Sequence, residues 1–186
     1  MSEDETWFGG FYESAIVLGK TDSAIADKRL REALTALWSH PDLRIDQPLD
    51  LGDLDNLGRI EGELDHPVLG SCVFGTLVVR ERDTPNGDDW LYAVVPMGGL
   101  EERFPEIGGW PAGDHPESQR WREPLERSLA KLALHVARTA PIAFAMIGYE
   151  ISGVVSDFKP DQPRRIGFVV RGEGGEFEYW PTTDWS

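Results

Sequence analysis

The sequence predicts an α+β fold in one domain, residues 1–186, with a mostly antiparallel sheet of about six strands and helices packed on it. Segments with an apolar period of 3.6 residues alternate with segments of period 2. Consecutive strand-like segments are joined by short turns, which is typical of antiparallel pairing. The chain has 186 residues, 40% of them apolar, and seven tryptophans, enough to fill one core. The predicted element order is ααβββαβββ.

The first two elements are predicted as helices that form an αα-hairpin over about 8–39. The first helix is indicated by apolar residues at i, i+3, i+4, i+7 and i+8, beginning at Phe8 and ending at Ile16. The alternative is a strand, because Ala15–Leu18 is a short apolar run. The second helix, about 22–39, has its own apolar stripe, which consists of Leu30, Ala33, Leu34, Leu37 and Trp38.

The middle of the chain changes to the period of a strand. An acidic loop is predicted over 41–57. After it, Ile60, Gly62 and Leu64 alternate with Glu61, Glu63 and Asp65. The apolar segment 71–82, a turn signal at Thr84-Pro85-Asn86-Gly87 and the segment 89–95 predict a β-hairpin.

The last third begins with a Gly/Pro-rich loop over 96–116, a length that usually indicates function or partial disorder. A helix is predicted over about 118–139, with its regular part starting at Pro124. Three strands complete the chain, at about 142–151, 164–171 and 176–181. A tight hairpin turn over Gly172–Gly175 joins the last two.

The net charge is the strongest functional signal. The chain has 33 Asp and Glu against 18 Lys and Arg, a formal charge of −15, and residues 1–115 carry −14 of it. A field of that sign repels nucleic acid and anionic membranes and attracts basic partners. There is no apolar run long enough to span a membrane. The N-terminus lacks the pattern of a signal peptide, so a cytoplasmic location is expected.

No motif predicts catalysis, a cofactor or a metal site, and the chain is expected to be a binding protein rather than an enzyme. Residues 53–64 start like a calcium loop, but Leu57 and Leu64 occupy positions that need oxygen ligands. Cys72 is the only cysteine and opens an apolar strand, so it is expected to be a small buried residue. Gly98-Gly99 and Gly108-Gly109 lack the spacing of a phosphate loop.

The leading hypothesis is therefore an acidic protein-binding module, such as an inhibitor or immunity-type protein for a basic partner. Exposed Trp side chains would add apolar anchors. The competing interpretations are that Trp180 and Trp185 tie the C-terminus to the core, and that the acids are spread around the domain for solubility. The predicted partner-binding residues are Asp46, Asp50, Asp53, Asp55, Glu61, Glu63, Trp110 and Trp180.

Two alternatives remain open. An enzyme or small-ligand binder would have its site under the 96–116 loop, lined by His66, His115 and Glu150. Both histidines occur as Asp-His-Pro, which turn chemistry also explains. A homo-oligomer would pair through an edge strand at 176–181.

Overall fold

The described residues build an eight-stranded antiparallel sheet with two long helices packed on one face. The computed structural model describes residues 7–45, 47–101, 104, 107, 116–151, 159 and 161–185. The strands are β1 (Phe11–Lys20), β2 (Leu43–Arg44), β3 (Ile60–His66), β4 (Gly70–Arg80), β5 (Asp88–Pro96), β6 (Phe144–Tyr149), β7 (Gly167–Arg171) and β8 (Phe177–Trp180). The helices are α1 (Ala26–Trp38), α2 (Met97–Glu101) and α3 (Pro116–Thr139). The order across the sheet is β2-β3-β4-β5-β1-β6-β7-β8.

β1 lies inside the sheet, antiparallel to β5 on one side and β6 on the other. The prediction of a helix over the first segment, and with it the αα-hairpin over 8–39, is wrong. Ile16 is buried against the helices, and Ala15 is buried on the opposite face. A strand covered on both faces is apolar throughout, so its residues also satisfy a helical period.

The predicted count of six strands and the order ααβββαβββ are also wrong in detail. The observed order is β1-α1-β2-β3-β4-β5-α2-α3-β6-β7-β8. The two added strands are β1 and the two-residue β2, which lies within the predicted acidic loop 41–57. The predicted loop 96–116 contains α2 and meets the start of α3.

The two long helices form where the apolar stripes predict them. Leu30, Leu34 and Leu37 of α1 are fully buried, as are Leu125 and Leu129 of α3. These side chains join the sheet residues of one face in a single core cluster.

Pro124 lies inside α3 rather than at its first position, which corrects the predicted start of this helix. Proline has no N–H, so the carbonyl of Arg120, four residues earlier, lacks its usual intrahelical donor. The helix nonetheless continues through this position for a total of 24 residues.

The predicted hairpin of 71–82 and 89–95 is confirmed as β4 and β5. The alternation in β3 is also confirmed: Leu64 lies in the helix-side core, while Glu61, Glu63 and Asp65 are exposed on the opposite side. The three last strands are confirmed at slightly shorter lengths.

The sheet face opposite the helices carries a second apolar cluster. Its buried members include Tyr92, Val94, Met146 and Phe168. Trp90 stacks on Tyr92, with ring centroids 6.1 Å apart and an angle of 13° between the planes. Among the described residues, this cluster contains no helical side chain.

Candidate functional site

Three carboxylates line up along β3 on the face opposite the helices, and we call Glu61, Glu63 and Asp65 the acidic margin. All three are exposed. Side chains two residues apart in a strand share a face and are separated by roughly 6.6 Å. β3 is next to the last strand at one end of the sheet, where only the two-residue β2 lies outside it. The margin therefore presents a short row of negative charge at the side of the sheet.

Two arginines contact the acidic margin. The Nε of Arg59 donates to Glu61 over 2.7 Å, and the Arg59 guanidinium lies 3.8 Å from the ring centroid of Trp7. Arg44 pairs with Glu63 at 2.8 Å, and half or more of each side chain remains exposed. Exposed pairs of this kind are weak because water screens them. The carboxylates are thus held in place but still accessible to another cation.

Other acids of the 42–65 segment shape the loop itself. An Asp50 oxygen accepts the N–H of Gly52 over 2.9 Å. Asp53 accepts the side-chain amide of Asn56 over 2.9 Å and the backbone N–H groups of Asp55 and Asn56 over 3.2 Å each. The hydrogen bonds from Asn56 hold the pKa of Asp53 below its usual value. Asp50 and Asp53 are exposed, and each holds a local turn.

Asp55 is attached to the sheet by two arginines. Arg80 Nη1 lies 2.9 Å from Asp55 Oδ1, and Arg82 Nη2 lies 2.6 Å from the same oxygen. Arg80 also pairs with Asp27 of α1 at 2.8 Å. This carboxylate therefore joins the acidic loop to β4 and α1, and its charge is offset by two guanidinium groups, whereas Glu61 and Glu63 each pair with one.

A groove of about 590 Å³ lies between residues 45 and 47–50 on one side and β3 on the other. It wraps round the outer side of β3, because Ile60 and Gly62 lie on the helix side while Glu61 and Glu63 lie on the other. Its apolar lining consists of Ile45, Pro48, Leu49, Leu57, Ile60 and Val73, and its charged lining of Asp50, Arg59, Glu61 and Glu63. The acidic margin is thus continuous with an apolar concavity.

The predicted partner-binding residues do not all meet at this place. Trp180 is half-buried in β8, at the opposite end of the sheet, and the Arg164 guanidinium lies 5.4 Å from its ring centroid. Six strand spacings separate β3 from β8, or about 29 Å. Asp46, Trp110 and His115 lie outside the described residues. The structure thus groups Asp50, Glu61 and Glu63 about one groove and leaves Trp180 remote.

His66, a predicted lining residue of a ligand site, forms part of a turn. Its Nδ1 accepts the backbone N–H groups of Val68 and Leu69 over 3.1 and 2.9 Å. The side chain is buried, and burial holds the pKa of His66 below its usual value. Glu150 is exposed and follows β6, four strand spacings or about 19 Å from β3. A site under the 96–116 loop stays a prediction, since most of that segment lies outside the described residues.

Sequence reasoning missed a buried carboxylate, Glu126 of α3. Its oxygens accept the hydroxyl of Tyr12 over 3.3 Å, the hydroxyl of Tyr179, and both the hydroxyl and the N–H of Thr182 over 2.6 and 2.9 Å. Burial, and then the Glu126 charge, raise the pKa values of both tyrosines. With four donors the carboxylate is satisfied, so we assign it to holding the C-terminal segment on α3. The sequence contained a signal, because Glu126 is an acid in the predicted helix and directly follows Leu125 of the apolar stripe.

The described part of the chain contains no cluster of metal ligands. No group of three or more His, Cys, Asp or Glu side chains converges within these ranges in a way that could hold a metal ion. Cys72, the single cysteine, is buried. No helix in the same ranges has the length and apolarity that a membrane span requires.

Comparison of the chain with protein-family models, with curated proteins and with solved structures finds no match.

Proposed function

We propose that this chain is an acidic protein-binding module that docks a basic protein partner, as an inhibitor or immunity-type protein does. The observation that carries the proposal is the acidic margin: Glu61, Glu63 and Asp65 are exposed in one row beside an apolar groove. Charge at the rim and apolar surface at the centre is the usual composition of a protein-binding surface.

The net charge supports the same function. A formal charge of −15 on 186 residues gives a negative field that steers a basic partner toward the chain. Steering of this kind raises association rates by about 10- to 1,000-fold, and salt suppresses it. The two arginine pairs at the margin do not cancel this effect, because they involve exposed side chains and Asp65 adds a further charge.

The test is affinity capture followed by kinetics. The immobilised chain is used to identify bound proteins, and association rates for the strongest partner are measured at about 0.1 M and about 1 M salt, where the Debye length falls from about 10 Å to about 3 Å. A basic partner with a rate that falls steeply is expected. An acidic partner, or a rate that ignores salt, would overturn the proposal.

A matched pair of variants localises the effect. Glu61→Gln/Glu63→Gln/Asp65→Asn removes three charges from the acidic margin. The control, Glu173→Gln/Glu176→Gln/Glu178→Gln, removes three exposed charges near β8, at the far end of the sheet. The first variant should slow association much more than the second, because steering depends on where the charge lies as well as on the total. Equal effects would count against docking at the margin.

A further inference from the structure

We infer that the groove beside β3 binds an extended segment of the partner in which basic and aliphatic side chains alternate. This inference rests on the proposed function and adds the chemistry of the bound segment. The groove of about 590 Å³ falls within the size range of ligand sites, roughly 300–1,000 Å³. That volume accommodates a few side chains rather than a folded domain.

The groove is preformed on its apolar side. Ile45, Leu49, Leu57 and Ile60 are all half-buried and pack against the main core cluster. Side chains fixed in this way lose little further freedom when a ligand arrives, and this lowers the cost of binding. Aliphatic side chains of a partner would therefore find an ordered apolar surface.

The charged side of the groove has the period of an extended chain. Glu61 and Glu63 are two residues apart in β3, so their side chains point the same way at roughly 6.6 Å spacing. A bound segment in extended conformation repeats its own side chains at the same interval. Lysines or arginines at alternate positions could therefore face these two carboxylates while the residues between them contact the apolar lining.

Charge complementarity selects a basic segment over an acidic one. Residues 42–65, which supply most of the groove, contain eight Asp and Glu against two Arg. An acidic segment would meet like charges, which disfavour binding. An uncharged apolar segment would contact the apolar lining but would bring no cation to Glu61 and Glu63, whose pairs with Arg59 and Arg44 are exposed and weak.

Gly58 lines the groove and has open space beside it. A Cβ built on Gly58 would meet no atom within 4 Å. A large side chain at this position would therefore occupy the groove without disturbing the core. Gly174, in the turn between β7 and β8, has equally open surroundings and provides a matched control at the other end of the sheet.

The experiment uses three end-blocked, fluorescently labelled heptapeptides, KVKVKVK, KSKSKSK and EVEVEVE, with binding measured by fluorescence anisotropy. The proteins are the full chain and its Gly58→Tyr and Gly174→Tyr variants. For the unmodified chain we expect KVKVKVK to bind about tenfold or more tightly than KSKSKSK, since the first has valine and the second serine at the three positions between the lysines. Gly58→Tyr should remove this preference, and Gly174→Tyr should retain it.

The outcomes separate the inference from the proposed function. Equal binding of the two lysine peptides, or a preference that survives Gly58→Tyr, overturns the groove as the binding place. If the lysine peptides still bind the unmodified chain at low salt and lose this binding at high salt, the acidic docking function stands without the groove. If EVEVEVE binds as well as KVKVKVK, both the inference and the function are overturned. Thermal unfolding of the two variants verifies that each remains folded.

Discussion

Arg80 donates from Nε to Oδ1 of Asp89 over 3.1 Å, at a position where the Asp89 side chain is fully buried. The second oxygen of Asp89 lies 3.5 Å from Nη2 of Arg29, which also donates to the carbonyls of Gly19 and Lys20. Two arginines from distant parts of the chain thus neutralise one buried carboxylate. Through Asp27 and Asp55, Arg80 extends this network to α1 and the acidic loop.

Asp89→Asn should destabilise the protein by about 3–5 kcal/mol, because it leaves the charges of Arg29 and Arg80 without their buried partner. The matched control is Asp88→Asn. Asp88 pairs with Lys20, whose side chain is 52% exposed, so its loss should cost at most about 1 kcal/mol. Urea unfolding of the two variants measures the difference. Similar losses for both would contradict a structural role for the buried network.

Glu126→Gln should destabilise the protein by about 2–3 kcal/mol, since hydrogen bonds to a charged group are the stronger ones and one acceptor oxygen is lost. The same change should alter tryptophan fluorescence. Trp185 follows Thr182 by three residues, and the Arg122 guanidinium lies 4.9 Å from its ring centroid. The control is Glu123→Gln, which removes an exposed pair with Arg127 and should cost about 0.3–0.5 kcal/mol. If the C-terminal segment were held in some other way, Glu126→Gln would leave the fluorescence unchanged.

Gly62→Ala should destabilise the protein by about 1–3 kcal/mol, as expected of overpacking. A Cβ at this position would overlap the carbonyl oxygen of Arg44 in β2 and lie 2.8 Å from the Trp38 ring. Gly58→Ala, four residues earlier in open space, should be neutral or stabilising by up to about 1 kcal/mol. Thermal unfolding distinguishes the two. A tolerated alanine at position 62 would show that β2 does not pack against β3 as described.

Stability should fall as the pH drops below about 6.5, the ordinary pKa of histidine. Burial holds the pKa values of His66 and His40 below that value in the folded state. Below pH 6.5 the unfolded chain therefore binds protons that the folded chain does not. The free energy of unfolding then decreases as the pH falls, until the pH reaches the pKa that each histidine has in the folded state. Above pH 6.5 both histidines are neutral in the folded and in the unfolded state, so they no longer make the stability depend on pH.

The variant that tests this pH dependence is His66→Asn. An Asn oxygen can accept the turn N–H groups that His66 Nδ1 accepts, but the amide does not titrate. Urea unfolding between about pH 5.5 and pH 8 should give a shallower pH dependence for the variant than for the unmodified chain. Identical slopes would mean that His66 does not contribute to this dependence.

Local sequence patterns correctly predicted the elements whose residues fit only one kind of secondary structure. α3 and the β4–β5 hairpin were found because one has a sustained apolar stripe and the other a turn signal between two apolar segments. The first segment failed because β1 is buried on both faces, and the same residues then fit two periods. The two-residue β2 is too short to show a period, and it is defined by its pairing with β3, where Leu43 lies opposite Leu64 and Arg44 opposite Glu63.

The candidate site was predictable only in part. The alternation of acids along β3 is enough to place Glu61 and Glu63 on one face, because side chains two residues apart in a strand point the same way. The groove beside them could not be predicted, because it depends on how residues 45 and 47–50 pack against the outer side of the sheet. The sequence does not show that Nδ1 of His66, a predicted lining residue of a ligand site, already accepts two backbone hydrogen bonds.

The sequence by itself determined the net charge, the alternation along β3 and the apolar stripes, all of which depend on residue type and short spacing. Only the tertiary structure decided which acids remain available. Asp89 and Asp55 are matched by arginines far away in the chain, and Glu126 by Tyr12, 114 residues earlier. Coulomb and hydrogen-bond energies depend on distance in space and on burial, and neither follows from position along the chain. The acidic margin stands out because Asp65 is exposed and Glu61 and Glu63 each pair with one arginine. Asp55, in contrast, pairs with two arginines, and Asp89 and Glu126 are fully buried.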